Sequence, residues 1–113
     1  MGNEWHVGEE IPNGVRLYDG AGAEVTTGTA AIRYVVLDGA DLKWLQDDLT
    51  TISTTPNTIA VAHTTGEGFV HKLTVPSGMN GFAGYFAIAD PATGRDVYSE
   101  EFTVVGSLEV NIV

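Results

Sequence analysis

Turn-forming clusters interrupt this chain about every 8–12 residues, and the segments between them alternate apolar with polar side chains, which is the pattern of an all-β sandwich or barrel. A strand points successive side chains to opposite faces, so each run can bury one face, and sheets must stack or close to hide those faces together. Residues 14–18 form the first clear run, with Val15 and Leu17 in phase. Asp19-Gly20-Ala21-Gly22 then turns the chain, Asp by bonding its own backbone and Gly by accepting positive φ. Residues 24–27 return as a short strand. Residues 29–37 carry Ile32, Tyr34 and Val36 on one face and Arg33, Val35 and Leu37 on the other, as a central strand covered from both sides would. Further strands are expected over residues 58–63, 69–75, 82–89 and 97–105, with Thr64 to Gly68 closing a hairpin. Leu108, Val110 and Ile112 alternate to the last residue.

Residues 38–49 break the rhythm. Leu42, Leu45 and Leu49 recur at i, i+3 and i+7, Asp41 stands where a helix cap would, and Lys43 and Asp47 make an i,i+4 pair. The segment is predicted to form one or two helical turns, with Trp44 plugging an end of the sandwich. The expected architecture is thus about eight strands and one short helical connection. Residues 1–12 would be an N-terminal docking arm or edge strand, and residues 13–113 a single domain.

The 113 residues include 15 Asp and Glu against 5 Lys and Arg, a formal charge of −10. Nucleic-acid binding needs a basic footprint, and an anionic membrane repels such a chain, so neither is an expected partner. The acidity suits either solubility or a basic surface on a protein partner. There is no cysteine, which removes disulfides, thiolate chemistry and Cys-based zinc sites. The start, Met-Gly-Asn-Glu-Trp-His, has neither the basic nor the apolar region of a secretory signal.

Few groupings suggest chemistry. His63 and His71 flank the 64–68 loop at diagonal cross-strand positions, with Glu67 near, and fit either a metal pair or, more simply, surface or interface histidines. Asp38, Asp41, Asp47 and Asp48, and separately Asp90 and Asp96, crowd together as calcium ligands or as solvated loops, without the spacing of a calcium-binding loop. Ser53, Ser77, Ser99 and Ser107 lack a nucleophile elbow, and no glycine-rich loop ends in the Lys-Ser/Thr of a phosphate cradle. The expectation is a protein that is not an enzyme and needs no cofactor. Trp5 and His6, in a polar stretch before the first firm strand, are expected to anchor the N-terminal arm on a partner, with Leu108, Val110 and Ile112 as a second docking element.

Two stretches resemble bacterial and phage immunoglobulin-like domains. Residues 15–25 (Val-Arg-Leu-Tyr-Asp-Gly-Ala-Gly-Ala-Glu-Val) resemble their opening strand and Asp-x-x-Gly turn, and Gly84-Tyr85-Phe86-Ala87-Ile88-Ala89-Asp90 with Thr93-Gly94 resembles their late Gly-x-Tyr strand. The Cys-Trp-Cys frame of antibody domains is absent. A short, acidic, cysteine-free domain of this kind resembles tailed-phage virion proteins, capsid decoration proteins or tail accessory domains in particular. That resemblance implies an immunoglobulin-like β-sandwich made in the host cytoplasm and carried on the virion surface. It would dock on a capsid or tail protein, with a homo-oligomer as a further possibility, and reinforce the particle. The alternative is a carbohydrate-binding or adhesive module that stacks sugars on Trp44 or exposed tyrosines.

Overall fold

The computed structural model of the chain describes residues 3–106. Its strands are β1 (Asn3–His6), β2 (Glu10–Val15), β3 (Thr29–Asp38), β4 (Asp41–Leu45), β5 (Ile52–Ser53), β6 (Ile59–Thr64), β7 (Gly68–Thr74), β8 (Ala83–Ala89), β9 (Asp96–Tyr98) and β10 (Phe102–Val105). The fold is all-β, with a single 3-10 turn at Ser77–Met79 among the described residues. The sheet order is β1-β10-β8-β3-β6-β7-β2, with β4 beyond β6 on the same edge of β3, β5 on β4 and β9 on β8.

The order starts and ends with consecutive strands, so the sheet curls nearly into a barrel. β1 lies parallel to β10, while β2 runs antiparallel to β7. Between them Val7 N–H donates to the Val105 carbonyl (3.1 Å), and one residue later Gly8 N–H donates to the Val75 carbonyl (2.9 Å). The N-terminal thirteen residues described therefore clip the two ends of the sheet together. Closing a sheet in this way removes most of its raw edge.

The alternation that suggested strands also fixes the core. Ala30, Ile32, Tyr34 and Val36 of β3 point inward, meeting Phe69, Leu73, Ile88 and Val104 from β7, β8 and β10. Trp5 is only 6 % exposed, and its ring stacks on Phe102 at 3.7 Å between centroids and 8° between planes. It is an inward residue of an edge strand, so the expectation of an exposed anchoring tryptophan is corrected: packing inside the chain has claimed the ring. Gly84, paired with Phe102 across β8 and β10, leaves the room this stack needs. A Cβ on Gly84 would come within 3.1 Å of the Phe102 ring and closer still to the Val35 carbonyl.

The helical turns expected over residues 38–49 are not there. The segment is a β-hairpin, with Asp38 paired to Asp41 around Gly39-Ala40 and Gly39 at φ 61°, the positive φ that a two-residue hairpin turn needs. Leu42 and Leu45, three apart, fall on opposite faces of β4: Leu42 is 45 % exposed and Leu45 fully buried. Lys43 pairs with Asp38 at 2.7 Å, back across the hairpin, rather than with Asp47. The strand expected over 14–18 is displaced to Glu10–Val15, and residues 24–27 supply only a bridge between Tyr18 and Glu24. The long strand expected over 97–105 is broken at residues 99–101 into β9 and β10. The last strand expected, with Leu108, Val110 and Ile112, lies outside the described residues.

Candidate functional site: an aromatic outer face

β5, β4, β3, β8 and β9 form an antiparallel run whose inner face is the core, so their other face meets solvent. Register assigns its side chains. Val35 lies between Trp44 and Tyr85 in one row, and Ala87 lies between Arg33 and Tyr98 in the next. Two strand spacings set Trp44 and Tyr85 about 10 Å apart. Val35 and Ala87 are 1 % and 0 % exposed although they face outward, because these flanking side chains roof them over.

The roof is held by a small polar lattice. Arg33 makes a two-pronged pair with Asp96 (2.9 and 3.1 Å) and donates to the Tyr98 hydroxyl at 3.2 Å. The same guanidinium lies 5.6 Å from the centre of the Tyr98 ring, and the Tyr85 and Tyr98 rings meet at 5.9 Å. Asp96 raises the Arg33 pKa, and the Arg33 guanidinium holds the Asp96 carboxyl below its ordinary value. Tyr98 is 60 % exposed and Leu42 stands beside Trp44, so the face offers apolar area that the chain itself leaves uncovered. Glu100 and Glu101 lie in the break beyond β9, whereas Asp38 and Asp41 share the phase of Val36 and Leu45 on the opposite side of the hairpin.

The residues picked from sequence fall elsewhere. His6, on β1, has Glu4 at 3.5 Å and Glu9 at 3.7 Å, and its backbone N–H donates to Glu9 Oε1. Asn3 and Val7 N–H groups face β10, so those of Glu4 and His6 face out, and the Glu9 carboxylate already caps one of them. Carboxylates on an exposed edge discourage strand addition, which makes β1 a poor docking edge.

His63 and His71 do not act as a pair. His63 Nε2 sits 3.2 Å from Glu24, and His71 Nδ1 lies 2.7 Å from the Tyr34 hydroxyl. The Asn13 side-chain amide donates to that hydroxyl at 3.0 Å, so the tyrosine O–H in turn donates its hydrogen bond to His71 Nδ1. Burial raises the Tyr34 pKa well above that of free tyrosine, which keeps it a donor. Burial also lowers the His71 pKa, because a charged ring loses solvation there and an Nδ1 proton would face the Tyr34 donor. With a folded pKa below the unfolded value near 6.5, the stability it contributes is complete above that pH and is lost as pH falls through the folded value. Melting temperature is therefore expected to drop between about pH 7 and pH 5. In thermal melts across that range His71→Gln is expected to flatten the drop, and an unchanged slope would refute the assignment.

The carboxylates singled out as calcium ligands serve one by one. Asp48 accepts from the Thr50 and Thr51 N–H groups and the Thr51 hydroxyl, which lower its pKa to about 2. Asp90 holds its own turn, Asp38 holds Lys43 and Asp96 holds Arg33. Among the described residues no group of three His, Asp or Glu side chains is arranged to hold a metal.

Sequence reasoning found Trp44 but gave it the wrong position, and it missed the Arg33–Asp96–Tyr98 lattice. The available signal was the outward phase of Arg33, Val35 and Leu37; the partners came from β8 and β9, which only register supplies. No family model, curated protein or solved structure matches this chain.

Proposed function

We propose that this chain is a non-enzymatic binding protein that docks on a larger protein assembly through the outer face of β4, β3, β8 and β9. The finer form is the one its sequence resemblance implies: an immunoglobulin-like sandwich that decorates a phage capsid or tail and reinforces it. The supporting observation is the composition of that face. Trp44, Tyr85, Tyr98 and Arg33 belong to the residue types that dominate interface energetics, and they surround a floor already closed to water. The titratable groups nearest the core, Tyr34 and His71, are committed to each other and to β2, a structural rather than a chemical use.

Charge narrows the partner. Arg16, Arg33 and Lys43, three of the five cationic side chains, are tied to carboxylates of the same chain. Glu100 and Glu101 beside the face and the net charge of −10 fit a surface rich in Lys and Arg, whereas a second copy of so acidic a chain would set like charges together. Mixing the purified protein with undecorated capsids tests the reading. Attachment is expected to weaken as salt rises, and the double variant Trp44→Ala, Tyr98→Ala is expected to lose about 100-fold or more in affinity. Failure to attach under any salt condition, or equal attachment by the double variant, would overturn it.

A further inference from the structure

Beside the aromatic roof, a cleft of about 490 Å³ opens between the turn at residues 18–24 and the loop joining β8 to β9. Its volume is in the range of small-molecule sites. The Tyr18 ring and Val97, two of the four large apolar side chains that stand exposed among the described residues, both line it, at 58 % and 40 % exposure. Exposed apolar area concentrated in a concavity points to a ligand more strongly than the same area scattered over a surface.

The polar groups around this floor are fixed and only partly used. Asp19 Oδ1 accepts from the Ala21 and Ala23 N–H groups at 2.9 and 3.0 Å, and Asp90 Oδ1 accepts from Ala92 and Thr93 at 2.7 and 3.1 Å. Each carboxylate is thereby locked to its own loop, while its second oxygen receives no side-chain or turn hydrogen bond among the described residues. Arg95 lines the same cleft and has no ion-pair partner among the described residues. The other charged groups of the lining are occupied: Arg16 by Glu24 and the Gly66 carbonyl, Asp96 by Arg33.

We infer that this cleft binds a short neutral glycan. A pyranose ring has one face of C–H groups and a rim of neighbouring hydroxyls, each both donor and acceptor. The Tyr18 ring and Val97 match the face, the free carboxylate oxygens of Asp19 and Asp90 accept from the rim, and the Arg95 guanidinium donates to it. A polyanion is repelled by the two aspartates and by the net charge of −10. A strongly basic peptide is opposed by Arg95. The cleft adjoins the proposed docking face and shares Asp96 with it, but neither Trp44, Tyr85 nor Tyr98 lines it, so each reading can fail without the other.

The test is a titration of the full-length ¹⁵N-labelled protein with maltotriose, cellotriose, mannotriose and chitotriose, followed by amide shifts. At least one sugar is expected to saturate with a Kd of about 0.1–5 mM, moving amides in residues 18–24 and 90–97. Tyr18→Ala and Arg95→Ala are each expected to weaken it about 10-fold. The Trp44→Ala, Tyr98→Ala double variant should bind the sugar like wild type even where it no longer attaches to capsids. Four results would overturn the inference: no shifts with any sugar at about 20 mM, shifts centred on Trp44, Tyr85 and Tyr98, undiminished binding by both cleft variants, or saturation by an arginine-containing tripeptide and by none of the sugars.

Discussion

Replacing Trp5 by alanine is expected to lower the free energy of unfolding by about 3–5 kcal/mol, the range for deleting a large buried aromatic side chain. Trp5 is the third residue of an edge strand in sequence, but in space it is a wall of the core. Its ring lies flat on Phe102, and β1 is held to β10 on one edge alone. Losing the indole therefore opens a cavity and loosens the clip that joins β10 to β7. Urea unfolding followed by circular dichroism measures the change. A loss below about 1 kcal/mol, the scale of a surface substitution, would mean that the strand is dispensable.

Gly84→Ala is expected to destabilise by about 1–3 kcal/mol, the penalty for overpacking a close-packed interior, through addition of a single methyl group. The methyl would need the space where the Phe102 ring and the Val35 carbonyl already stand. Phe102 cannot yield without disturbing Trp5, which stacks on it. The two sites are thus coupled, and the Trp5→Ala, Gly84→Ala double variant is expected to be more stable than the sum of the single losses, since the cavity left by Trp5 gives Phe102 somewhere to move. Strict additivity in the same urea series would contradict the stacked arrangement.

Much of the fold was legible because period two is a local signal. The hairpin around residues 64–68 closes as its turn residues suggested, with Thr64 paired to Gly68. The central strand around Tyr34 carries apolar residues on both faces because the outer face has its own roof of side chains. Failures came where two periods coincide or where a non-local partner decides. Leu42, Leu45 and Leu49 satisfy a helical spacing by accident, and the competing signal, Gly39-Ala40 flanked by Asp38 and Asp41, is a hairpin turn. Pro12, Asn13 and Gly14 made β2 look like an irregular lead-in. β2 lies at the end of the sheet order, where proline is tolerated, and Asn13 is buried because it feeds the Tyr34 hydroxyl. Trp5 read as exposed since its sequence neighbours are polar, yet Phe102 of β10, 97 residues on in the chain, supplies the ring that covers it.

The aromatic face was the least accessible part. Arg33, Tyr85, Tyr98 and Asp96 are drawn from three strands, and nothing in their spacing announces a shared surface. Only the pairing of β3 with β8 and of β8 with β9 brings them into adjacent rows.

Hydroxyl-radical footprinting of the protein free and attached to its particle tests the central claim most directly, with the buried Trp5 as an internal reference. Oxidation of Trp44, Tyr85 and Tyr98 is expected to fall on attachment while that of Tyr18 stays unchanged. Undiminished oxidation of Trp44 and Tyr98 in the attached protein would show that some other surface makes the contact.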